Sequence, residues 1–364
     1  ARTFCAVGDL VWVAERSGAI TVRAGRTGEL KYTVETKEKI VGTSMLLVDD
    51  EVWIGTNNGK IMVFDATTCA LRIELTNPEA QAQSDVHGLV YDGICVFAAM
   101  AACRAGQWAA KTKQFVRSYL RQTPVLSLVV HNSVLYLGDS DGAVSAWDVK
   151  SGEVIANVKD GKGEVLSLIA EPSSQTLWLG RSDGNIDVYS FQPSLVRIES
   201  LRHPGRGKIT ALLAVGGKVW AGGYDRTIYV FHAQTRTQVG SFKGEHNSFI
   251  FALGKVFLLE TARIWTVANG GKVHIYDGEG FFTALRGSSS VSEEVSACYT
   301  KIQQLRMQLA HAEVEISTER DRVVQRDLEI ARLREENQDR LLRIHSLEHA
   351  VETKDGAIGD QGTQ

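Results

Sequence analysis

One sentence of sequence is written seven times through the first four-fifths of this 364-residue chain, and that repetition limits what the chain can fold into. Each copy reads as an apolar strand, a tight turn, a second apolar strand and a third strand a few residues on. The clearest copies run Val52-Trp53-Ile54-Gly55 to Asn58-Gly59 to Ile61-Met62-Val63-Phe64-Asp65, and Leu135-Tyr136-Leu137-Gly138 to Asp141-Gly142 to Val144-Ser145-Ala146-Trp147-Asp148. Two more are centred on Trp178 and Trp220, with turns at Gly184 and Arg226. Weaker copies turn at Gly18, Gly106 and Gly271. A period near forty residues with several strands per unit is the mark of propeller blades. A four-stranded blade has two apolar faces and buries both only when other blades stack against it in a ring. Runs such as Ile61-Met62-Val63-Phe64 and Ile228-Tyr229-Val230-Phe231, apolar on both faces, meet that requirement. The Asn-Gly and Asp-Gly pairs supply the positive φ of tight hairpins.

With those residues in view, the chain resembles the WD40-repeat family over about residues 1–287. Ser140-Asp141-Gly142 and Trp147-Asp148 match the family's turn and closing dipeptide most closely, with Phe64-Asp65 and Tyr276-Asp277 as variants. No Gly-His dipeptide opens any blade, so the family's buried Asp–His–Ser–Trp network is expected to be mostly absent. The expected fold is an all-β seven-bladed β-propeller over 1–287. The chain starts without Met and almost inside the first blade, which reads as a truncated or processed N-terminus with a first blade short of material.

Composition changes at the linker 288–290. Glycine, dense until Gly287, is absent until Gly356, and Ser290 with Glu293 fits a helix capping box. From 291 to 353 one heptad register holds, with Val295, Ile302, Leu309, Ile316, Val323, Ile330, Asn337, Ile344 and Val351 at a, and Leu305, Leu333 and Leu347 among the d positions. β-Branched residues at a with Leu at d favour a parallel two-stranded coil, and one Asn at a sets register and strand number. Glu315–Arg320, Arg322–Asp327, Glu329–Arg334 and Arg343–Glu348 are attractive g–e pairs in that arrangement. Glu319, Arg326 and Arg340 interrupt the d layer. The expectation is a homodimerising coiled coil on the order of 90 Å long at 1.5 Å per residue, with a single helix or a heterotypic coil as alternatives. The tail 354–364 is expected to be disordered.

Chemistry is harder to find. Net charge is −3, too small to argue for nucleic acid or a membrane surface. Five Cys with irregular spacing and no Cys-x-x-Cys point to reduced thiols and a cytoplasmic location, and no metal is expected. No 18-residue apolar run is present, so no integral membrane contact is expected. Gly55-Thr56-Asn57-Asn58-Gly59-Lys60 is one residue short of a phosphate loop, and Ile61 stands where Ser or Thr would hold magnesium. The histidines are scattered. No cofactor and no catalytic set is assigned.

Two basic clusters stand out: Arg104, Lys111, Lys113, Arg117 and Arg121, and Arg202, His203, Arg206 and Lys208. Each reads as a solvated surface or as a seat for an acidic peptide, an acidic tail or a phosphoinositide headgroup. Trp108, in an Ala-rich copy, is expected partly exposed as a partner anchor. Arg181, Tyr224 and Arg226, beside the inner turns, are the other candidate partner contacts. The whole reads as a non-catalytic scaffold whose propeller binds a protein and whose coil makes it bivalent. The domain order is similar to that of coronins and of centriolar or basal-body WD-repeat scaffolds, which implies a cytoskeletal or organelle association. The alternatives are a trafficking, signalling or ubiquitin-ligase adaptor, or a targeting propeller detached from a larger enzyme.

Overall fold

The computed structural model describes residues 2–25, 27–34, 36, 41–80, 84–191, 195–202, 205, 207–243, 248–257, 262–268 and 273–277, with 326, 333, 337, 338 and 340 in the C-terminal part. The chain divides into two compact units, Ala1–Leu285 and Arg286–Gln364.

The first unit is built from consecutive antiparallel sheets. Strands β1–β4 are Thr3–Val7, Leu10–Ala14, Ile20–Ala24 and Leu30–Val34; β5–β8 are Gly42–Val48, Glu51–Thr56, Ile61–Asp65 and Leu71–Leu75. Strands β9–β12 are Val86–Tyr91, Cys95–Met100, Arg104–Ala109 and Phe115–Leu120; β13–β16 are Val125–His131, Val134–Asp139, Val144–Asp148 and Val154–Val158. Strands β17–β20 are Val165–Glu171, Thr176–Arg181, Asn185–Ser190 and Val196–Arg202; β21–β24 are Ile209–Val215, Lys218–Gly223, Thr227–His232 and Gln238–Lys243. Strands β25–β27 are Ile250–Phe257, Ala262–Ala268 and Val273–Asp277. Every sheet runs in simple chain order. The first strand of each packs beside the first strand of the next, and β25 returns to β1.

This is an all-β propeller, with a correction to the expected seven blades. Six blades are complete, and among the described residues β25–β27 form a sheet of only three strands. A second correction concerns the first blade, which holds all four of its strands despite starting at Thr3.

The Gly repeated near the end of the second strand in four blades has a packing cause. A Cβ on Gly138 would lie 2.5 Å from Ser127 Oγ and 2.5 Å from Val165 Cγ1, and one on Gly222 would lie 3.1 Å from Ile250 Cγ2. Gly55 and Gly180 stand in the same relation to Val86 and Ile209. Each Gly thus admits the β-branched residue that opens the next blade. The Trp residues of these strands fill the interleaf cores: Trp12, Trp53, Trp178 and Trp220 are fully buried.

A hydroxyl on the inner strand latches one blade to the next. Ser127 Oγ donates to the Val165 carbonyl at 2.9 Å, Ser44 Oγ to the Val86 carbonyl at 3.3 Å, and Thr210 Oγ1 to the Ile250 carbonyl. Ser127→Ala removes a buried donor and leaves that carbonyl short of a partner, so urea unfolding of the variant is expected to show a loss of about 1–2 kcal/mol. An unchanged midpoint would remove the latch from the account of blade cohesion.

The closing dipeptide also acts locally. Asp148 Oδ1 accepts from Ser151 N at 2.6 Å, and Asp65 Oδ1 accepts from Thr67 N and Thr68 N at 2.9 and 2.7 Å. Each caps the turn into the outer strand and holds its carboxyl below the usual range. Of the family's buried network, Trp147 Nε1 donating to Ser145 Oγ at 2.9 Å is found in the fourth blade.

Of the second unit, Arg326, Leu333, Asn337, Gln338 and Arg340 are described, all helical and exposed. Leu333, an expected d residue, is 49% exposed, and among the described residues nothing packs on it or on Asn337. Of the coiled coil expected over 291–353 only these positions are described, and among the described residues they show no pairing. Its other positions, Val295, Ile302, Leu305, Leu309, Ile316, Val323, Ile330, Ile344, Leu347 and Val351, lie outside the described residues, as do 288–290 and 354–364.

Candidate functional site

The turns between second and third strands, and the connections that enter each new blade, gather on one face of the ring. Positive φ marks those turns at Gly18, Gly59, Gly142, Gly184 and Arg226. In the third blade the turn falls at Cys103, with φ of 57°, and not at the expected Gly106, which sits inside β11 opposite Ala98. Gly271 lies outside the described residues. Close approaches tie the two sets of loops together: a Cβ on Gly207 would lie 3.1 Å from Asp225 N and 3.3 Å from Tyr224 Cβ.

This turn face carries the most accessible of the expected contacts. Tyr224 is 46% exposed and stacks on Phe249, with centroids 4.2 Å apart and planes at 11°. Lys208 Nζ lies 5.9 Å from the Tyr224 ring centre and 3.7 Å from Glu164. Arg226, next along the turn, is exposed and holds a φ of 63°. The neighbouring Asp225 is engaged inward, accepting from the Tyr229 hydroxyl at 2.6 Å; burial, then this bond, pushes that phenol up to about 12.

Arg181 is not a surface contact. It is 1% exposed, its Nε donates to Asp187, and its Nη1 reaches the carbonyls of Gly142 and Gly163 at 3.0 Å each. Asp187 also accepts from Ser200 Oγ at 2.5 Å. The Tyr189 hydroxyl joins Arg181 Nη2 at 3.3 Å and Asp160, and its phenol is pushed far up by burial and by that carboxylate. The guanidinium thus pins two turn-face loops from beneath. Trp108 is likewise buried, at 1% exposure, edge-on to Phe115 at 5.6 Å, because its strand faces the interleaf core.

The first basic cluster is dismantled by the fold. Arg121 pairs with the buried Asp139 at 2.5–2.8 Å; burial pushes the Asp139 carboxyl up, and Arg121 opposes that rise. Lys113 pairs with Glu51 and lies 5.0 Å over Trp53. Arg104 reaches the carbonyl of Glu79, and Arg117 that of Lys150. Lys111 is the exposed member.

The channel at the centre of the ring, about 320 Å³, is lined by residues from all seven inner strands or their approaches. At the start of these strands a bulge leaves one residue out of register, and those residues are Thr43, His87, Leu126, Leu166 and Thr210. All five line the channel, with Arg2 beside them. Burial holds the His87 imidazole below its ordinary value, with Asp85 opposing and Arg2 adding to the effect. Sequence reading missed this set. The signal for it is positional: Thr43 and Leu126 sit directly before the latch residues Ser44 and Ser127, and Thr210 is bulged residue and latch at once.

Among the described residues, no group of three or more His, Cys, Asp or Glu is placed to hold a metal. Cys5, Cys69, Cys95 and Cys103 are free thiols. No helix among the described residues is long and apolar enough to cross a membrane, which says nothing about strands.

No protein-family model matches the chain. It is similar to WD repeat-containing protein 55 of Rattus norvegicus, 28% identical over 118 residues, or 32% of this chain and 30% of that protein. It is similar to the WD repeat-containing protein 55 homolog of Dictyostelium discoideum, 19% identical over 212 residues, or 57% of this chain and 51% of that protein. A shorter likeness, 21% over 121 residues, is to the Rho GTPase-activating protein gacL of Dictyostelium discoideum, covering 32% of this chain and 16% of that protein. The chain thus spans under a third of the rat relative and about half of the first Dictyostelium one. Among solved structures, the computationally designed Ika8 protein superposes with a TM-score of 0.58 at 20% identity, covering 76% of this chain and 95% of that one. The stacked sheets show a β-propeller, and over part of its length the chain is similar to WD-repeat proteins.

Proposed function

We propose that this chain is a non-catalytic interaction protein whose propeller grips a protein partner on the turn face. The observation that carries the reading is the Tyr224–Phe249 stack: an aromatic surface, 46% exposed at Tyr224, set on the turn face beside the exposed Arg226. Exposed aromatics set among polar neighbours are the usual anchors of protein interfaces. WD-repeat propellers generally mediate protein interactions, which supports the same class. A cytoplasmic scaffold on a filament or organelle is the version we favour, because two propellers on one rod gain avidity at a repetitive target.

The bivalency rests on the heptad stripe from 291 to 353, and on the exposed, helical Leu333 and Asn337, which would suit a partner helix. Light scattering of the full chain against residues 1–287 tests it. The expected result is a dimer that becomes a monomer on truncation. A monomeric full chain would end the homodimer reading. For the propeller, proximity labelling from the full chain is expected to lose its main protein neighbour with Tyr224→Ala; an unchanged neighbour set would reject the turn face.

A further inference from the structure

Of the second basic cluster, Arg202 is exposed, Lys208 lies 3.7 Å from Glu164, and His203 and Arg206 lie outside the described residues. Residues 201–250 hold seven Lys and Arg against two Asp and Glu, in a propeller whose remaining charges nearly balance. Several of these cations converge on the corner that carries Tyr224. Arg226 sits two residues along the same turn, and Thr227 pairs across the sheet with Lys243, at the end of the outer strand of that blade. Arg226 and Lys243 are both exposed, and neither makes an ion pair with a described residue. Lys208 completes the corner beside the Tyr224 ring, its charge shared with Glu164 across 3.7 Å. One face of Tyr224 is covered by Phe249, and the ring is otherwise exposed on the turn that carries Arg226.

We infer that this sixth-blade corner recognises an acidic peptide segment of the partner protein, with Arg226 and Lys243 meeting its carboxylates and Tyr224 receiving an adjoining planar or proline side chain. This deepens the reading of the turn face and rests on it. Unpaired, solvated cations around a low-dielectric aromatic floor attract carboxylates by long-range steering, and the ring adds contact that charge alone lacks. Nucleic acid or membrane would call for a broad basic field, and the balanced charge of the other blades does not provide one. Two cations and one ring suit a few residues of extended acidic chain instead. Carboxylates on this corner would also be spared the cost of stripping existing ion pairs, since Arg226 and Lys243 have none to give up among the described residues.

The test uses the full chain and a fluorescein-labelled twelve-residue peptide of glutamate with one central tryptophan, beside the same peptide with glutamine throughout. Anisotropy is expected to show binding of the glutamate peptide that weakens as salt is raised, and none of the glutamine peptide. Arg226→Glu with Lys243→Glu is expected to weaken binding at least tenfold, Tyr224→Ala severalfold, and Lys150→Glu, exposed on the opposite face, less than twofold. A thermal melt of each variant checks that the fold is intact. Equal losses from Lys150→Glu and from the double variant would overturn the site, as would absence of glutamate-peptide binding. Binding to phosphatidylserine vesicles that is stronger than to the peptide, with the same variant pattern, would overturn the peptide in favour of a lipid surface. If the peptide fails while Tyr224→Ala still strips the main neighbour in proximity labelling, the acidic chemistry is wrong and the turn-face reading stands; if both fail, the face itself is wrong.

Discussion

Arg181→Met is expected to cost the propeller about 3–5 kcal/mol, because it leaves the carboxylate of Asp187 buried without its counter-charge. Both side chains are only 1% exposed. Removing the guanidinium also frees the Gly142 and Gly163 carbonyls on the turn face. What remains to Asp187 is Ser200 Oγ at 2.5 Å and Arg197 at 4.0 Å, and the latter is too long to hold the charge. In a thermal melt the loss should appear as a fall of roughly 10 °C, at a few degrees per kcal/mol for a domain of this size. The double variant Arg181→Met with Asp187→Leu should recover most of it, since an apolar pair of similar volume avoids the desolvation that the ion pair had to offset. A single variant within 1 kcal/mol of the parent, by urea unfolding, would show that water reaches Asp187 and that the pair is not what holds these loops.

Gly138→Ala should destabilise by about 1–3 kcal/mol through overpacking. The added methyl would sit 2.5 Å from both Ser127 Oγ and Val165 Cγ1, and 2.8 Å from Val165 Cβ. None of these is the far end of a flexible chain, so the inner strand of the fifth blade must shift. Val165→Ala is expected to be harmful in the parent, where it opens a cavity, and less harmful in the Gly138→Ala background, where it makes room. That sign of coupling, read from a double-mutant cycle by denaturant unfolding, is the signature of direct contact. Additive losses would mean that the two residues do not meet, and would weaken the case that this Gly sets the spacing between blades.

The two substitutions separate what could be read in the chain from what could not. Gly138 recurs in sequence with Gly55, Gly180 and Gly222, so its importance was visible, but its reason was not. The contact that explains it is with a residue 27 positions away in the next blade, Val165. Arg181 looked like a turn-face contact because it ends the second strand beside an Asp-Gly turn. Its partner, Asp187, is six residues on and across the hairpin, and only the paired strands bring the two together under a roof of loops. Trp108 misled for a related reason. Small neighbours on either side suggested an unpacked ring, but the alternation of β11 turns it into the interleaf core. Gly106 misled because a Gly in a strand can serve as space for a neighbouring ring as well as a turn, and here it faces Trp108 while Cys103 makes the turn.

Repetition is local information, and the sequence alone determined whatever repetition controls. Strand length, hairpin turns, the capping Asp of Phe64-Asp65 and Trp147-Asp148, and the need to stack sheets in a ring all follow from residues within one copy and its period. The heptad stripe of 291–353 is legible for the same reason, as a pattern that asks for a partner helix. Tertiary structure decided which charges survive at the surface. Arg104, Lys113, Arg117 and Arg121 form as dense a cluster in sequence as the residues around Lys208, yet they reach separate acids and carbonyls of their own and neighbouring blades. Arg226 and Lys243, 17 positions apart, are brought to one corner by the Thr227–Lys243 pairing and make no ion pair with a described residue. A buried charge must find its counter-charge wherever the fold puts one, and that depends on which blades meet. Sequence spacing therefore marks where cations lie along the chain, and only the packed ring sorts those that hold it together from those left over to bind something else.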